Sequence, residues 1–163
     1  MFRREFLGAI GSAGLLAALT GPAFAEDVLL SIDAQGDGSA IKTFTDTDLL
    51  ALPQIEFSTS TIWTPEPATF SGPSLASVLE AAGAAKGALS MIAVNEYKVE
   101  IPTDRIEDNA PIIANRINGA PFSIRDKGPL WLVFPFDSNP RFQTEEVYSF
   151  SIWQLTQIKV VQG

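Results

Sequence analysis

The chain of 163 residues contains no cysteine and no histidine. Without cysteine it can form neither a disulfide nor a thiolate zinc site, and it has no thiol nucleophile. Without histidine it lacks the general base of a Ser-His-Asp triad and the side chain that titrates near neutral pH. Any chemistry must therefore come from carboxylates, hydroxyls, amides, the cationic groups of Lys and Arg, and aromatic rings.

Positive charge is also scarce, since 11 Lys and Arg stand against 19 Asp and Glu and give a net charge of −8. The basic residues are scattered singly, whereas a nucleic-acid surface needs clustered cations that neutralise phosphates. The composition therefore argues against a nucleic acid as partner. Acidic pairs such as Glu145 with Glu146 lack the spacing of a calcium loop or of paired catalytic carboxylates. No metal site is expected.

The N-terminus has the features of a bacterial secretory signal. Arg3 and Arg4 precede an uncharged stretch, and Ala23-Phe24-Ala25 forms a small-x-small cleavage sequence. We therefore expect a signal peptide over 1–25 and a mature periplasmic domain over 26–163, without a transmembrane span. The short apolar stretch, interrupted by glycines, favours cleavage over a retained anchor. The adjacent arginines also resemble a twin-arginine signal, so the export pathway stays open.

Hydrophobic periodicity predicts a strand-dominated α+β domain with two or three short helices. Thr45 and Asp48 have the spacing of a capping box, which predicts a short helix that ends before Pro53. A longer helix is predicted from about Ser74 to Gly83, because apolar residues recur there at i, i+3, i+4 and i+7. Strands are predicted over 28–32, 41–44, 54–59, 89–94, 97–101, 112–117, 130–134 and 155–161.

Two tryptophans stand in contrasting sequence contexts. Trp131 lies in the continuous apolar run 130–134, which predicts a buried strand with this ring in the core. Trp63 lies in a predicted loop, after a hydroxyl-rich run that includes Thr59 and Thr61. A ring in such a loop either anchors the loop or stacks on a flat heteroaromatic ligand whose edge bonds to polar groups.

The third tryptophan, Trp153, lies in the segment 148–154, which alternates like a strand. This alternation predicts that Ser149, Ser151 and Trp153 share one side of the segment, where the ring either packs or contacts a ligand.

Polar groups in predicted turns are further candidates for a binding site. Asn95 opens a tight hairpin turn that leads to Tyr97. Arg116, Arg125 and Lys127 lie in or beside turns of the second half, where most cations are simply solvated. If the cationic donors among these residues converge before the predicted buried strand 130–134, they would suit an anionic or carbonyl-rich ligand.

Several segments of the mature chain form a recognisable series in their order and spacing. They are Leu52-Pro53-Gln54, 57–64 (FSTSTIWT), 70–75 (FSGPSL) with Leu79, 93–97 (AVNEY), 113–116 (IANR), Asn118-Gly119, 123–133 (SIRDKGPLWLV) with Pro135, Tyr148-Ser149 and Trp153-Gln154-Leu155. Through these segments, residues from about 44 to 161 resemble the molybdopterin-binding oxidoreductase domain, which has the sulfite oxidase fold, in its small periplasmic form. The resemblance covers most of the mature chain.

The resemblance also bears on the ligand. In catalytic members a cysteine ligates molybdenum, and Thr59 or a neighbouring hydroxyl occupies that place here. A hydroxyl is a poor ligand for a high-valent metal beside the cofactor's dithiolene. Catalytic members carry cations near the C-terminus that contact the pterin and its phosphate. Here Ser151 keeps the family's serine, whereas Phe150 and Trp153 replace the cations, which implies a phosphate-free, reduced pterin.

The resemblance therefore implies a periplasmic pterin-binding protein that acts as a ligand sensor or carrier. It also implies an inner-membrane signalling partner, such as a histidine kinase or a cyclic-di-GMP enzyme. Two alternatives stay open: a molybdopterin-dependent oxidoreductase that holds its cofactor through the pterin alone, and a secreted domain with a vestigial pocket. The candidate ligand-binding residues are Thr59, Thr61, Trp63, Asn95, Tyr97, Arg116, Arg125, Lys127, Ser151 and Trp153.

Overall fold

The structure, a computed structural model, describes residues 26–162. The signal peptide predicted over 1–25 lies outside these residues. Within the described part of the chain, no helix combines the length and the apolar character needed to span a bilayer.

The described residues form ten strands, three α-helices and four 3₁₀ turns. The strands are β1 (Val28–Asp33), β2 (Ile41–Thr45), β3 (Gln54–Thr59), β4 (Ala68–Pro73), β5 (Leu89–Ala93), β6 (Lys98–Ile101), β7 (Ile112–Ala114), β8 (Arg116–Ile117), β9 (Trp131–Val133) and β10 (Leu155–Val160). The helices are α1 (Asp46–Leu50), α2 (Leu75–Ala82) and α3 (Glu145–Phe150). The 3₁₀ turns are Thr103–Arg105, Ile124–Asp126, Phe136–Ser138 and Pro140–Phe142.

These strands form three sheets within 26–162. The largest has the order β2-β1-β10-β5-β6, in which β1 and β10 are parallel and the other pairs antiparallel. The second has the order β3-β4-β8, and the third pairs β7 with β9, both antiparallel. This mixed sheet arrangement with short helices confirms the α+β prediction.

The two helices predicted from the capping box and from the apolar spacing are present. Thr45 caps α1 through a complete capping box, in which its hydroxyl accepts from the Asp48 amide and the Asp48 carboxylate accepts from the Thr45 amide. Ser74 caps α2, which ends at Gly83 in the left-handed conformation with φ of 66°. Both ends of α2 therefore follow from residues that the sequence already marks.

The core is a continuous cluster of buried apolar side chains drawn from all three sheets, including Leu30, Phe70 and Leu132. A close backbone approach joins the second and third sheets. A Cβ built on Gly72 in β4 would lie 2.0 Å from the carbonyl oxygen of Ile113 in β7. Only glycine allows this contact, so Gly72 fixes how near the two sheets can pack.

Two predictions about local structure are wrong, and one strand was not predicted. The segment 148–154 is not strand-like, because 145–150 form helix α3. The strand predicted over 112–117 is divided at Asn115 into β7 and β8, which belong to different sheets. Strand β4 was not expected, since its sequence ATFSGP is rich in small residues and ends in proline. Pairing with β3 on one side and β8 on the other stabilises β4 as a strand.

Candidate ligand-binding site

A cavity of about 490 Å³ lies between the loop that follows β3, the turn between β5 and β6, and helix α3. Its volume is in the range of sites that hold small organic ligands. Most of its surface is apolar, and polar groups are placed around this surface. The lining residues are Ile62, Trp63, Ala93, Asn95, Tyr97, Glu145, Tyr148, Ser149, Ser151, Ile152 and Trp153.

Trp63 is the ring around which the aromatic walls are arranged. Its centroid lies 5.5 Å from that of Trp153 and 5.9 Å from that of Tyr148, with interplanar angles of 71° and 85°. On the core side, Trp63 meets Trp131 edge-on at 5.8 Å. Such tilted contacts are the favoured geometry of aromatic pairs. The rings therefore form walls at steep angles to one another, and a flat ligand can lie on one face while its edges meet the others.

The loop that carries Trp63 is shaped by the Thr61 hydroxyl. This oxygen accepts hydrogen bonds from the amides of Trp63 at 3.1 Å and Thr64 at 2.9 Å, and it also lies 2.8 Å from the Thr64 hydroxyl. Side-chain oxygens that bond to amides two and three residues ahead are a common device for fixing turns. Thr61 is thus a positioning residue for the Trp63 ring and does not itself line the cavity.

The segment that carries Ser151 and Trp153 is held by the core strand β9. The Trp131 indole N–H donates to the Ser151 carbonyl at 3.1 Å, and the Leu132 amide donates to the Ile152 carbonyl at 2.9 Å. The Ser151 hydroxyl donates to the Val147 carbonyl at 3.0 Å, which leaves its oxygen free to accept. Ser151, which is 2% exposed, therefore borders the cavity from a segment that hydrogen bonds hold against β9.

The turn between β5 and β6 supplies polar groups at the cavity rim. The Ala93 amide donates to the Tyr97 carbonyl at 2.9 Å, and Glu96 adopts the left-handed conformation with φ of 67°. The Asn95 Oδ1 accepts from the Tyr97 amide at 3.3 Å, so its Nδ2 group stays available as a donor. Tyr97 is 56% exposed, with its ring at the opening of the cavity.

Helix α3 supplies residues that the sequence analysis missed as site candidates. Glu145, Tyr148 and Ser149 occupy positions i, i+3 and i+4, so they share one helical face, and all three line the cavity. Val147 and Phe150 face the core instead and are buried. The interpretation of residues 148–154 as a strand, with its two-residue period, concealed this helical face. A capping pattern could have revealed it, because the Thr144 hydroxyl accepts from the Val147 amide at 3.2 Å.

Five of the ten residues proposed from the sequence line the cavity together, and the other five do not. The first group is Trp63, Asn95, Tyr97, Ser151 and Trp153, and the second is Thr59, Thr61, Arg116, Arg125 and Lys127. Besides the residues of α3, sequence reasoning also missed the apolar Ile62, Ala93 and Ile152. None of these three carries a chemical signal in the sequence that distinguishes it from a core or surface residue.

Thr59 lies in the interior beside the cavity loop, with 1% of its surface exposed. Its hydroxyl accepts from the Asp137 amide at 3.0 Å and donates to the Ser60 carbonyl at 3.2 Å. The Ser60 amide in turn donates to the Asp137 carboxylate at 2.7 Å. This reciprocal set joins the end of β3 to the 3₁₀ turn at 136–138, so the Thr59 side chain serves the fold.

Arg116 binds another part of the chain. Its guanidinium donates to both carboxylate oxygens of Asp46, at 2.9 and 2.7 Å, which joins β8 to α1. The hydrogen bonds from Arg116 lower the pKa of the Asp46 carboxyl below its usual value, and the Asn115 amide adds a third bond at 3.0 Å. We call this bidentate pair the Arg116–Asp46 clamp. The expected role of Arg116 as a ligand donor is therefore replaced by a structural contact.

The two remaining cations do not line the cavity. Arg125 is exposed on the 3₁₀ turn Ile124–Asp126. The Lys127 ammonium lies 5.7 Å from the ring centroid of Trp153, within cation–π range. Lys127 thus contacts a wall residue of the cavity.

Charge within the cavity is negative. Among the described residues that line it, Glu145 is the only one with a charged side chain. The described part of the chain contains no cluster of three or more Asp or Glu side chains that could hold a metal ion. The cavity thus offers aromatic faces, hydroxyls, an amide and one carboxylate.

Comparisons with known proteins identify the fold. No family model and no curated protein matches the chain. Fourteen chains of solved structures match, among them the sulfane dehydrogenase SoxCD from Paracoccus pantotrophus, with a TM-score of 0.63 and 16% sequence identity. The match covers 85% of this chain but only 39% of the SoxCD chain. The chain therefore has a molybdopterin-oxidoreductase-like fold, and the predicted sulfite-oxidase-like architecture is confirmed.

Proposed function

We propose that this chain is a periplasmic pterin-binding protein that acts as a ligand sensor or carrier, without molybdenum catalysis. The observation that carries the proposal is the cavity walled by Trp63, Tyr148 and Trp153, with polar groups at its edges. A reduced pterin is a flat bicyclic ring with hydrogen-bonding groups along its edges. Such a ligand uses both kinds of surface that the cavity offers.

The residues present do not fit molybdopterin, the cofactor to which the fold resemblance points. The chain has no cysteine to supply a thiolate, and the Thr59 hydroxyl is buried in two hydrogen bonds outside the cavity lining. A phosphate group requires cationic or N–H partners when it leaves water. The described cavity lining carries no Lys or Arg, and the Glu145 carboxylate would repel a phosphate. This donor set supports a phosphate-free ligand.

The sensor or carrier role is supported by what the cavity can do chemically. Its described lining offers recognition groups but no histidine, thiol or cluster of carboxylates that would transform a bound ring. An inner-membrane signalling protein, a histidine kinase or a cyclic-di-GMP enzyme, is the proposed recipient of the signal. The export signal expected from the sequence supports a periplasmic location for ligand binding.

Titration with 7,8-dihydropterin tests the proposal. Protein purified from its native periplasm is first freed of any bound compound and then titrated under anaerobic conditions. Tryptophan fluorescence and calorimetry follow the binding. Because Trp63 and Trp153 line the cavity, we expect saturable quenching with one ligand per chain and no molybdenum in the protein as isolated.

Two results would overturn this proposal. The absence of saturable binding would leave the cavity without its proposed ligand. Molybdenum near one atom per chain, with molybdenum-dependent turnover, would instead establish the oxidoreductase alternative.

A further inference from the structure

Among the described residues Glu145 forms no ion pair, unlike the adjacent Glu146. The three ion pairs among the described residues involve Glu146 with Arg105, Asp46 with Arg116, and Glu107 with Arg141. Glu146, the next residue of α3, is thus neutralised by a contact of 2.5 Å outside the cavity. Glu145 lines the cavity and keeps its full acceptor capacity.

The position of Glu145 on α3 relates it to an aromatic wall. Tyr148 lies three residues later on the same helical face, where Cβ atoms are about 5–6 Å apart. A flat ring that stacks on Trp63 presents an edge to Tyr148, whose plane stands at 85° to that of Trp63, and this edge comes within reach of the Glu145 carboxylate. Ser149, one residue further on this face, also lines the cavity.

The chemistry of a carboxylate restricts which ring edge it can bind. An ionised carboxylate only accepts hydrogen bonds, and it binds best to two parallel N–H groups. The pyrimidine edge of a 2-amino-4-oxopteridine presents such a pair, the amino group at C2 and the adjacent N3–H. The 2,4-dioxo analogue has the same size and shape but presents a carbonyl oxygen at C2, which the carboxylate repels.

We propose that Glu145 is a specificity-determining residue of this cavity, whose carboxylate accepts the paired N–H groups of a 2-amino-4-oxo ring. This assignment rests on the proposed pterin-binding function and names the part of the ligand that is recognised. Glu145 selects the amino ring over its dioxo analogue and disfavours anionic ligands by repulsion.

The test compares 7,8-dihydropterin with 7,8-dihydrolumazine, which differ at C2. We expect wild-type protein to bind dihydropterin at least about tenfold more tightly, the scale of one charge-assisted hydrogen bond. Glu145→Gln should lose this preference, because an amide offers one acceptor and one donor. Glu96→Gln is the matched control, since Glu96 adjoins the rim residues Asn95 and Tyr97 but does not line the cavity. It removes the same charge nearby and should keep the preference.

The possible outcomes separate this assignment from the function on which it rests. Equal affinity of wild-type protein for the two rings would overturn the role of Glu145 and leave pterin binding intact. An unchanged preference in Glu145→Gln, or a lost preference in Glu96→Gln, would do the same. If wild-type protein binds neither ring, the proposed function fails and this assignment fails with it. Unfolding midpoints of both variants, compared with wild type, establish that the folded state is being measured.

Discussion

Trp131 and Trp63 have ring centroids 5.8 Å apart, yet they belong to two different parts of the molecule. Trp131 lies in the core strand β9, is 1% exposed, and has its indole N–H satisfied by the Ser151 carbonyl. Trp63 lies in a loop whose shape depends on the Thr61 hydroxyl, and its ring lines the cavity. The same residue type therefore serves the fold in one place and the candidate site in the other.

The contact between these two rings shows how the fold positions the site. A loop alone would leave Trp63 free to sample several rotamers, at a cost in binding affinity when it is ordered. Packing against Trp131 on the core side restricts the ring before a ligand arrives. The cavity wall is thus preorganised by the core, and substitutions at the two positions should separate stability from binding.

The largest expected effect follows from Trp131→Ala. Removing this buried ring leaves a space that β9 and its neighbours cannot fill, and it also leaves the Ser151 carbonyl without its donor. We expect a loss of about 3–5 kcal/mol in the free energy of unfolding. Urea denaturation of the variant and wild type measures it. Coincident midpoints would show that Trp131 does not belong to the core as described.

Trp63→Ala should have the opposite profile, with the main loss in ligand binding. Stacking on an aromatic ring contributes roughly 1–3 kcal/mol per base in nucleic-acid complexes, and we expect a similar loss for dihydropterin. Calorimetric titration measures the change in affinity. Phe57→Ala is the matched control, because Phe57 is a half-buried aromatic residue that packs on Phe70 away from the cavity. Equal affinities of the Trp63 variant and wild type would contradict the stacking role.

The same contrast explains which parts of the fold could be predicted from the sequence. Helices α1 and α2 have capping residues and apolar spacing within one short segment, so local patterns identify them. Strand β4 has no such pattern, because its conformation depends on two partner strands and on the close approach that Gly72 permits. Local chemistry cannot show either of these long-range contacts.

The candidate site was partly predictable for a similar reason. Trp63 and Asn95 were identified because loop aromatics and turn amides are recognisable in sequence. Local sequence could not show that Arg116 lies outside the cavity lining, because Asp46, its partner in the clamp, lies 70 residues earlier in the chain. Glu145 was missed because residues 148–154 also fit the period of a strand, which removed the helical face from consideration.

Substitution of Asp46 in the Arg116–Asp46 clamp should have a smaller effect. We expect this effect to change the stability of the fold in a pH-dependent way and to leave ligand binding unchanged. Because the clamp lowers the pKa of Asp46 in the folded protein, it stabilises the fold above the unfolded pKa. This contribution is lost as the pH falls through the folded pKa. Asp46→Asn should therefore destabilise the protein by about 1 kcal/mol at neutral pH. The difference from wild type should be smaller at strongly acidic pH, because protonation of the Asp46 carboxyl removes the charge that asparagine lacks.

Urea denaturation at the two pH values measures the clamp, and dihydropterin titration at neutral pH is the control. Asp46 does not line the cavity, so we expect ligand affinity to stay unchanged. A stability difference that is the same at both pH values would mean that ionisation of Asp46 does not contribute. A loss of affinity would mean that α1 is coupled to the cavity.

Thr59→Cys should have the smallest effect, although it restores the residue type that ligates the metal in the catalytic relatives suggested by the sequence. The Thr59 side chain is buried and turned toward the Asp137 amide, outside the cavity lining. A sulfur atom there would replace one acceptor of that amide by a weaker one. The cavity would still lack cationic partners for a phosphate and would keep the Glu145 carboxylate. We therefore expect neither molybdenum uptake nor turnover with sulfite or sulfoxide, and unchanged binding of dihydropterin.

Metal analysis and activity assays on wild type and Thr59→Cys, purified side by side, test this prediction. Molybdenum-dependent turnover in the variant alone would show that the thiolate was the single missing element. The scarcity of positive charge in the cavity would then be irrelevant to cofactor binding.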